Sequence, residues 1–426
     1  MKLHWHWMAM GMAMAALAAL AGGAGAQLAP PVQLPPVGGV VGGLDDTGRD
    51  LLGRTVETVD RTASDAGALA RARLGRLDAL VRRNPEQLEM TALGPAVRGE
   101  VIAIDPDPAT LDAAQAAGFI RIGEDAIEGL GLRTVTLGVP RGVSVDRALR
   151  QLGRIAPGTT FAAAHLYGQA GGVGMPASQA MPARGGVAPG AAVGVIDGGI
   201  AAHPSLSGRV VQQGFARGAP RPSPHGTAVA SLIAGQGGVR GADPGAPLFV
   251  ADIYGADPAG GNALALARAI GWMVVQRVPV VAMSLVGPPN PLVQRAVAQA
   301  QARGLRIVAP VGNDGRAAPP AYPASYPGVI AVTAVDARNR PLIEAGRALH
   351  LDYAAPGADM AAAAPDGGLA RVRGTSFAVP LVAGRLAAHI GARDPIAALD
   401  AEANPRGPGL GRGVVCRACR TPYRGR

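Results

Sequence analysis

The sequence predicts an α/β protein whose larger domain is a doubly wound parallel sheet, preceded by a small α+β domain. Three observations support this fold class. Apolar runs without alternation recur after residue 190, which is typical of parallel strands covered on both faces. Helical patterns separate several of these runs, as parallel connections require. A shorter block before them has strands and helices in the order β-α-β-β-α-β.

The composition indicates a compact globular protein. The chain has 426 residues, of which 48% are hydrophobic and 16% are charged, enough for two domains and a large core. The net charge of +10 comes almost entirely from arginine, because Lys2 is the only lysine. The arginines are scattered and aromatic residues make up 3% of the chain, so neither a basic helix nor a stacking platform is indicated. Nucleic acid is therefore not an expected partner.

Residues 1–26 are predicted to be a secretory signal peptide. Lys2 supplies a positive start, Met8 to Ala21 is apolar, and Ala24-Gly25-Ala26 is a small-residue cleavage site. The alternative is an uncleaved membrane anchor, but the apolar run is shorter than the ~18–20 residues that a span needs. Later apolar runs are interrupted by Gly, Pro or charge, so no stable membrane span is expected. We therefore expect an exported bacterial protein, either secreted or periplasmic.

Residues 27–95 are predicted to be a Pro/Gly-rich stretch followed by helices. Gln27 to about Gly43 has no hydrophobic periodicity. From Asp45 to about Glu86, leucines and valines are spaced for one or two amphipathic helices. The sequence does not indicate the role of these helices.

Residues 96–167 are the predicted small domain. VRGEVIAID, FIRI, LRTVTLGV and TTFAAAHLY have the pattern of strands, and PATLDAAQAAG and VDRALRQLGRI the pattern of helices. Their order is that of the ferredoxin-like arrangement. Residues 168–190 are rich in Gly, Pro and small residues, which predicts a linker with a processing site that a protease can reach.

Residues 191–415 are the predicted parallel-sheet domain. Its strands are AAVGVI, PLFVADI, VPVVAMSL, LRIVAPV and GVIAVTAV, and ALALARAIGWMVV and PLVQRAVAQAQARG are helices between them. Sites in such sheets form at the carboxyl ends of the strands. The candidate site residues are therefore the polar residues that follow these strands.

Four polar residues near predicted strand or helix ends could carry chemistry. Asp197 ends AVGVID, Asn313 follows LRIVAPVG, and His225 begins the helical stretch HGTAVASLIAG. Taken singly, each has a structural interpretation as a turn residue or a buried histidine. Ser376 lies where a helix is predicted to begin, in RGTSFAVP. The simple interpretation there is that Thr375 or Ser376 caps the helix.

Together these residues indicate an activated serine. A serine hydroxyl needs a base to remove its proton, and a carboxylate fixes the tautomer of that histidine and stabilises the imidazolium. Backbone N–H groups at a helix N-terminus favour an oxyanion, so we expect the N–H of Ser376 and the side chain of Asn313 to donate to it. The chain order Asp, His, Ser is that of subtilisin rather than chymotrypsin or the α/β-hydrolases, and no GxSxG surrounds Ser376.

Four motifs resemble those of the subtilisin-like serine proteases. VGVIDGGIAAHPSL is similar to the family's Asp motif, HGTAVASLIAG to its His motif, VGNDG to its oxyanion motif and GTSFAVPLVAG to its Ser motif. The resemblance covers about residues 191–415. It implies four roles: orienter for Asp197, general base for His225, nucleophile for Ser376 and oxyanion donor for Asn313.

The resemblance also implies where a peptide substrate binds. In the family, an extended peptide lies beside a Ser-Leu-Gly strand, and one side chain enters a pocket beside the oxyanion loop. The matching positions are Ser284, Leu285, Val286, Gly287, Ala309, Val311 and Gly312. Val286 replaces the usual glycine of the substrate strand, and Pro310 is unusual in the oxyanion loop, so the resemblance does not imply a specificity.

The small domain is similar to the prosegments of this family, which assist folding and cover the active site as an intramolecular inhibitor until they are cut off. The expected protein is thus an exported serine endopeptidase that acts on proteins or peptides through an acyl-enzyme and is made as a self-processing zymogen. No cofactor or metal is expected; calcium stays an alternative for which no ligand set is identified. Two other functions stay open: a catalytically inactive subtilase fold with a binding or chaperone-like role, and a basic nucleic-acid-binding protein.

Cys416 and Cys419 are predicted to form a local disulfide in the basic tail, residues 416–426. They are the only two cysteines, and a disulfide is the default in an oxidising compartment. A structural zinc site would need further ligands, and a redox CxxC would be expected at a helix start after a strand.

Overall fold

The computed structural model describes residues 68–179 and 191–423, and for residues 175–179 it describes the backbone alone. The predicted signal peptide and the predicted Pro/Gly-rich stretch lie outside the described residues. Residues 68–83 are helical, here named α1, and belong to the helical stretch predicted before the small domain. None of the described helices is long and apolar enough to cross a membrane.

The small domain is an antiparallel sheet with two helices. Its elements are β1 (Leu88–Thr91), β2 (Gly94–Ile104), α2 (Pro108–Ala116), β3 (Ile120–Ile127), β4 (Leu132–Gly138), α3 (Val145–Ile155) and β5 (Thr160–His165). β4 and β5 both pair with β2, and β3 pairs with β4. The predicted β-α-β-β-α-β order is present, and the sheet has the ferredoxin-like arrangement. β1, which pairs with the start of β2, was not predicted.

Both helices of the small domain begin at capping side chains. Asp107 accepts a hydrogen bond from the N–H of Thr110, and Ser144 accepts one from the N–H of Arg147. Such caps satisfy N–H groups that the helix itself leaves unpaired. The helices cover one face of the sheet, and their contacts form a separate small core around residues such as Phe119.

The large domain is built on a seven-stranded parallel sheet. Its strands are β8 (Val193–Asp197), β9 (Val210–Gly214), β10 (Leu248–Asp252), β11 (Val280–Met283), β13 (Arg306–Pro310), β14 (Ile330–Val335) and β15 (Tyr353–Pro356). The order across the sheet is β15-β14-β13-β11-β8-β10-β9. The five predicted strands are all in this sheet, and the doubly wound α/β class is confirmed. The edge strands β9 and β15 were not predicted.

Helices pack on the sheet in pairs. They are α4 (Pro224–Ala234), α5 (Ala263–Val275), α6 (Pro291–Ala302), α7 (Val379–Ala388) and α8 (Pro395–Glu402). α4 packs against α7, and α5 packs against α6. Their buried residues are mainly Ala, Val, Leu and Ile, which lets the backbones of helices and strands approach closely.

The segment predicted to be a linker is extended and paired in its first half. β6 (Gly168–Gln169) pairs antiparallel with β12 (Leu285–Val286), and β7 (Gly172–Gln179) pairs antiparallel with β17 (Gly368–Arg373), which also pairs with β16 (Met360–Ala363). Composition did not reveal these strands because their partners are distant in sequence. Residues 180–190 lie outside the described residues.

The two domains meet through buried polar contacts. The side-chain amide of Asn290, which is 1% exposed, donates to the carbonyl oxygen of Ala163 at 2.8 Å and lies 3.1 Å from Nδ1 of His165. The hydroxyl of Tyr167 donates to the carbonyl oxygen of Pro288 at 2.9 Å. A buried polar group without a hydrogen-bond partner is costly. Each of these groups has its partner in the other domain, so the two domain surfaces are complementary in their hydrogen-bonding groups.

The C-terminal tail is fixed to the large domain. Cys416 and Cys419 form a disulfide. Beyond it, the N–H of Ala361 donates to the carbonyl oxygen of Thr421 at 2.9 Å, and the N–H of Arg240 donates to its hydroxyl at 2.8 Å. The disulfide therefore closes a short loop before a segment that pairs along β16.

Candidate active site

Asp197, His225 and Ser376 are connected by hydrogen bonds at the carboxyl edge of the parallel sheet. Nδ1 of His225 lies 2.8 Å from Oδ2 of Asp197, and its Nε2 lies 2.9 Å from Oγ of Ser376. All three side chains are buried, so water competes little with these bonds. An imidazole held in this way can accept the serine proton, while the carboxylate stabilises the imidazolium.

Small residues bring His225 to the aspartate. Asp197 is the last residue of β8, and His225 is the second residue of α4. The helix is capped by Ser223, whose hydroxyl accepts from the N–H of Gly226 at 2.9 Å. A Cβ on Gly226 would lie 2.3 Å from the carbonyl oxygen of Gly198. Only a glycine therefore lets the start of α4 approach the end of β8 this closely.

Ser376 lies in a 3-10 turn, Thr375–Phe377, that precedes α7. The structure contradicts the capping interpretation, because neither the turn nor α7 has a side-chain cap. Gly374, which begins the turn, has a φ of 140°, a value that side chains disfavour. The hydroxyl of Ser284 donates to the carbonyl oxygen of Ser376 at 2.9 Å. These contacts fix the turn so that the Ser376 hydroxyl faces the imidazole.

Asn313 and Ser376 donate to the same carbonyl oxygen. Oδ1 of Asn313 accepts from the N–H of Thr375 at 2.9 Å, which fixes the orientation of its amide. Its Nδ2 then donates to the carbonyl oxygen of Ala170. The N–H of Ser376 donates to that oxygen at 3.0 Å. Two donors on one carbonyl oxygen, beside a serine hydroxyl, have the arrangement of an oxyanion hole.

The carbonyl belongs to a segment of the chain itself, residues 166–170, held extended between two edges. On one side, Leu285 pairs with Gln169, and the N–H of Ala170 donates to the carbonyl oxygen of Ser284 at 3.3 Å. On the other side, Leu166 forms a bridge with Asn262. An extended peptide added to strand edges in this way is held by its backbone.

The residue after this segment has no space for a side chain. A Cβ on Gly171 would lie 2.2 Å from Oγ of Ser376 and 2.6 Å from the ring of Phe377, whereas a Cβ on Gly172 would meet nothing within 4 Å. Gly171 is thus packed against the serine hydroxyl and leaves no space for a side chain.

The second oxygen of Asp197 also has donors. Oδ1 accepts from the N–H of Gly198 at 2.6 Å and from Nε2 of Gln169 at 2.8 Å. A carboxylate oxygen only accepts hydrogen bonds, so the amide nitrogen of Gln169 is the atom that faces it. The segment in the cleft therefore contacts the aspartate as well as the serine.

α1 lies beside the same cleft. Nε of Arg73 lies 3.2 Å from Oδ2 of Asp314, and Arg76 forms a second ion pair with the same carboxylate. A cavity of about 810 Å³ separates leucines of α1, such as Leu77, from residues 166–169 and the large domain. α1 is thus tied to the residue that follows Asn313.

The predicted substrate-binding residues fall into two groups. Ser284, Leu285 and Val286 bond or pair with residues 168–170, and Gly287, Val311 and Gly312 line the cavity beside residues 166–169. Ala309 is in neither group: it is fully buried in β13 and pairs with Ala331. β13 continues to Pro310, so Ala309 is still inside the sheet rather than in the loop.

Sequence reasoning did not single out the segment that occupies the cleft. Gln169, Ala170 and Gly171 lie in the stretch predicted from its Gly, Pro and small residues to be a linker with a processing site. No pattern in that stretch indicates which of its bonds lies beside the serine. The opposite edge at Asn262 carries no motif either.

Burial changes the pKa of several groups near the site and the domain interface, among them His165 and Tyr254. Burial lowers the pKa of His165 to about 4, and the charge of Asp146 opposes this in part. Burial also raises the pKa of Tyr254 well above its usual range, with the nearby carboxylates of Asp197 and Asp252 adding to the effect. Both groups are therefore neutral near pH 7.

Within residues 68–179 and 191–423, no group of three or more His, Cys, Asp or Glu side chains could hold a metal ion. The chemistry described above uses side chains and backbone N–H groups alone.

The sequence and the fold match known proteins. The profile of the Subtilase family matches residues 188–402. Subtilisin BL from Lederbergia lenta is 36% identical over 211 residues, which cover 48% of this chain and 77% of the relative. M-protease from Shouchella clausii (strain KSM-K16) is 30% identical over 325 residues, which cover 75% of this chain and 76% of the relative.

The crystal structure of fervidolysin from Fervidobacterium pennivorans, a keratinolytic enzyme related to subtilisin, has the same fold. Its TM-score is 0.63 at 20% identity, with 78% of this chain and 62% of that chain covered. The family profile spans half of this chain, and two subtilisin-type relatives align over most of their own length. The chain therefore belongs to the subtilase family of serine-type endopeptidases.

Proposed function

We propose that this chain is an exported endopeptidase that hydrolyses peptide bonds through Asp197, His225 and Ser376 and is made as a self-processing zymogen. The observation that carries the proposal is the Ala170 carbonyl group. Its oxygen accepts hydrogen bonds from the N–H of Ser376 and from Asn313, while the Ser376 hydroxyl is bonded to His225. The chain thus presents one of its own peptide bonds as a substrate.

Each side chain has a defined role in the proposed reaction. Oγ of Ser376 attacks the carbonyl carbon of Ala170 as Nε2 of His225 takes its proton. Asp197 stabilises the imidazolium, and the negative oxygen is held by Asn313 and the N–H of Ser376. His225 then protonates the leaving amine of Gly171. Water hydrolyses the resulting acyl-enzyme at Ala170 by the same proton transfers in reverse order.

The small domain is proposed to be the prosegment and inhibitor. It contacts the large domain through buried polar groups, and its last strand leads directly into the segment in the cleft. The match to M-protease covers 75% of the chain, whereas residues 191–426 are little more than half of it, so the match includes residues before 191. A cut after Ala170 would leave residues 166–170 paired in the cleft as a bound product.

Export is proposed from the signal-peptide pattern of residues 1–26. The Cys416–Cys419 disulfide agrees with an oxidising compartment. The proposed partners are protein or peptide substrates and the chain's own prosegment.

A direct test compares wild type with Ser376→Ala, both expressed from Gln27 without the predicted signal peptide. We expect intact-mass analysis of wild type to show two pieces, with a new N-terminus at Gly171, while the variant stays whole. If wild type also stays whole and leaves casein uncut, the inactive binding or chaperone-like alternative replaces this proposal. A new N-terminus elsewhere would retain the peptidase and reject the assigned bond.

A further inference from the structure

The residue before the proposed cut reaches the aspartate of the site. Nε2 of Gln169 donates to Oδ1 of Asp197 at 2.8 Å, while the other oxygen of that carboxylate is bonded to His225. Asp197 is 0% exposed, and the glutamine amide is one of the hydrogen-bond donors to its buried carboxylate. In the bound peptide, Gln169 is the side chain next to that of the cleaved residue, Ala170.

Two features of the chain permit this contact. Pairing of Gln169 with Leu285 fixes the glutamine backbone along the strand edge. Residue 198, directly after the aspartate, is a glycine, and a Cβ on it would lie 3.5 Å from Nε2 of Gln169 and 2.4 Å from the hydroxyl of Ser223. A Cβ at residue 198 would therefore clash with the Ser223 hydroxyl and be in van der Waals contact with the Gln169 amide, so glycine leaves the most space beside Asp197.

We infer that this subsite selects substrates that have glutamine at the second residue before the scissile bond, the position of Gln169. Asp197 recognises this glutamine by accepting a hydrogen bond from its side-chain amide. The inference rests on the proposed function. An amide N–H can donate to the carboxylate, whereas a glutamate side chain would place a second negative charge against it. A methionine has similar length but no donor, so it fills the same space without the bond.

The expected discrimination follows from hydrogen bonding to a charged group. Such bonds are stronger than hydrogen bonds between neutral groups. The Gln169 side chain is itself exposed, so when the amide is absent, water can hydrogen-bond to the carboxylate and offset part of the lost binding free energy. We expect about 10-fold between glutamine and methionine in kcat/KM, mainly in KM. Glutamate should be worse by about 100-fold relative to glutamine, because like charges are opposed at close range.

The test uses the full chain after it has processed itself, with peptides copied from residues 166–173 (Leu-Tyr-Gly-Gln-Ala-Gly-Gly-Val). The glutamine is kept or replaced by methionine or glutamate, and kcat and KM are measured at pH 8 and pH 6. The glutamate peptide should recover part of its loss at pH 6, because a protonated carboxyl group can donate to Asp197 as an amide does. A side chain that merely fills space would give no such recovery.

The outcomes separate the inference from the function on which it rests. If the methionine and glutamine peptides are cut with equal kcat/KM, the amide is not read and the inference is wrong while the peptidase stands. If glutamate equals methionine at both pH values, the contact with Asp197 is likewise rejected. The peptides are added after the lag, once the processed chain cuts casein. If casein is cut and none of the three peptides is, the inference is wrong; if casein also stays uncut, the proposed function fails and the inference with it.

Discussion

Replacing Gly171 by alanine should block self-processing without unfolding the protein. A Cβ at this position would lie 2.2 Å from Oγ of Ser376 and 2.6 Å from the ring of Phe377, while ordinary contacts begin at 3.4 Å. The peptide and the hydroxyl must therefore separate by about 1 Å. Since a misplacement of about 1 Å can cost about 100-fold in rate, we expect Gly171→Ala to slow the cut after Ala170 by about that factor.

The same segment supplies matched controls. A Cβ on Gly168 or Gly172 would meet nothing within 4 Å, so Gly168→Ala and Gly172→Ala should process at nearly the wild-type rate. The assay follows intact mass after refolding, with thermal unfolding measured on each variant in a Ser376→Ala background. Processing of Gly171→Ala within threefold of wild type would refute the reasoning, because Gly171 would then not be packed against the serine.

Three further predictions concern the oxyanion donor, the domain interface and α1. Asn313→Ala should slow the cut by about 10²–10³-fold, with thermal unfolding as the check that loss of its bond to Thr375 leaves the fold intact. Burial lowers the pKa of His165 to about 4, so its neutral form contributes fully to the stability of the uncut protein above pH 6.5, and this contribution is lost as pH falls toward 4. At pH 5.5 the free energy of unfolding should be lower by about 1 kcal/mol. We expect this as a fall in Tm that is smaller in His165→Gln. Replacing both Arg73 and Arg76 by glutamine should shorten, by severalfold, the lag between the cut and the gain of peptidase activity, because exposed ion pairs contribute about 1 kcal/mol or less each. High salt should also shorten the lag of wild type. If neither the variant nor high salt changes the lag, α1 does not hold the complex.

The sequence allowed the strands of the parallel sheet and the four polar residues of the site to be predicted because both are local signals. Buried parallel strands are continuous apolar runs, and Asp197, His225 and Ser376 lie in motifs whose small residues have identifiable packing reasons, as at Gly226. The expected helix start at Ser376 was nearly right, although the structure has a 3-10 turn before α7.

The occupant of the cleft could not be predicted in the same way. Residues 168–169 become a strand because Leu285 and Val286 offer an edge more than a hundred residues away. Nothing in a Gly-rich stretch specifies that partner.

The attachment of α1 has a consequence for the lifetime of the proposed inhibited complex. Residues 68–170 contact the large domain through two parts of the chain: α1 pairs with Asp314, and the small domain with residues 166–170 contacts Asn290, Pro288 and the strand edge at Leu285. Two attachments on one chain act as a bivalent ligand, since each keeps the other at a high effective concentration. A cut after Ala170 leaves both in place, but a second cut in the short stretch between α1 and β1 would convert the bivalent inhibitor into two monovalent pieces. Activation would then be controlled by a bond about eighty residues from the one that the enzyme cuts first.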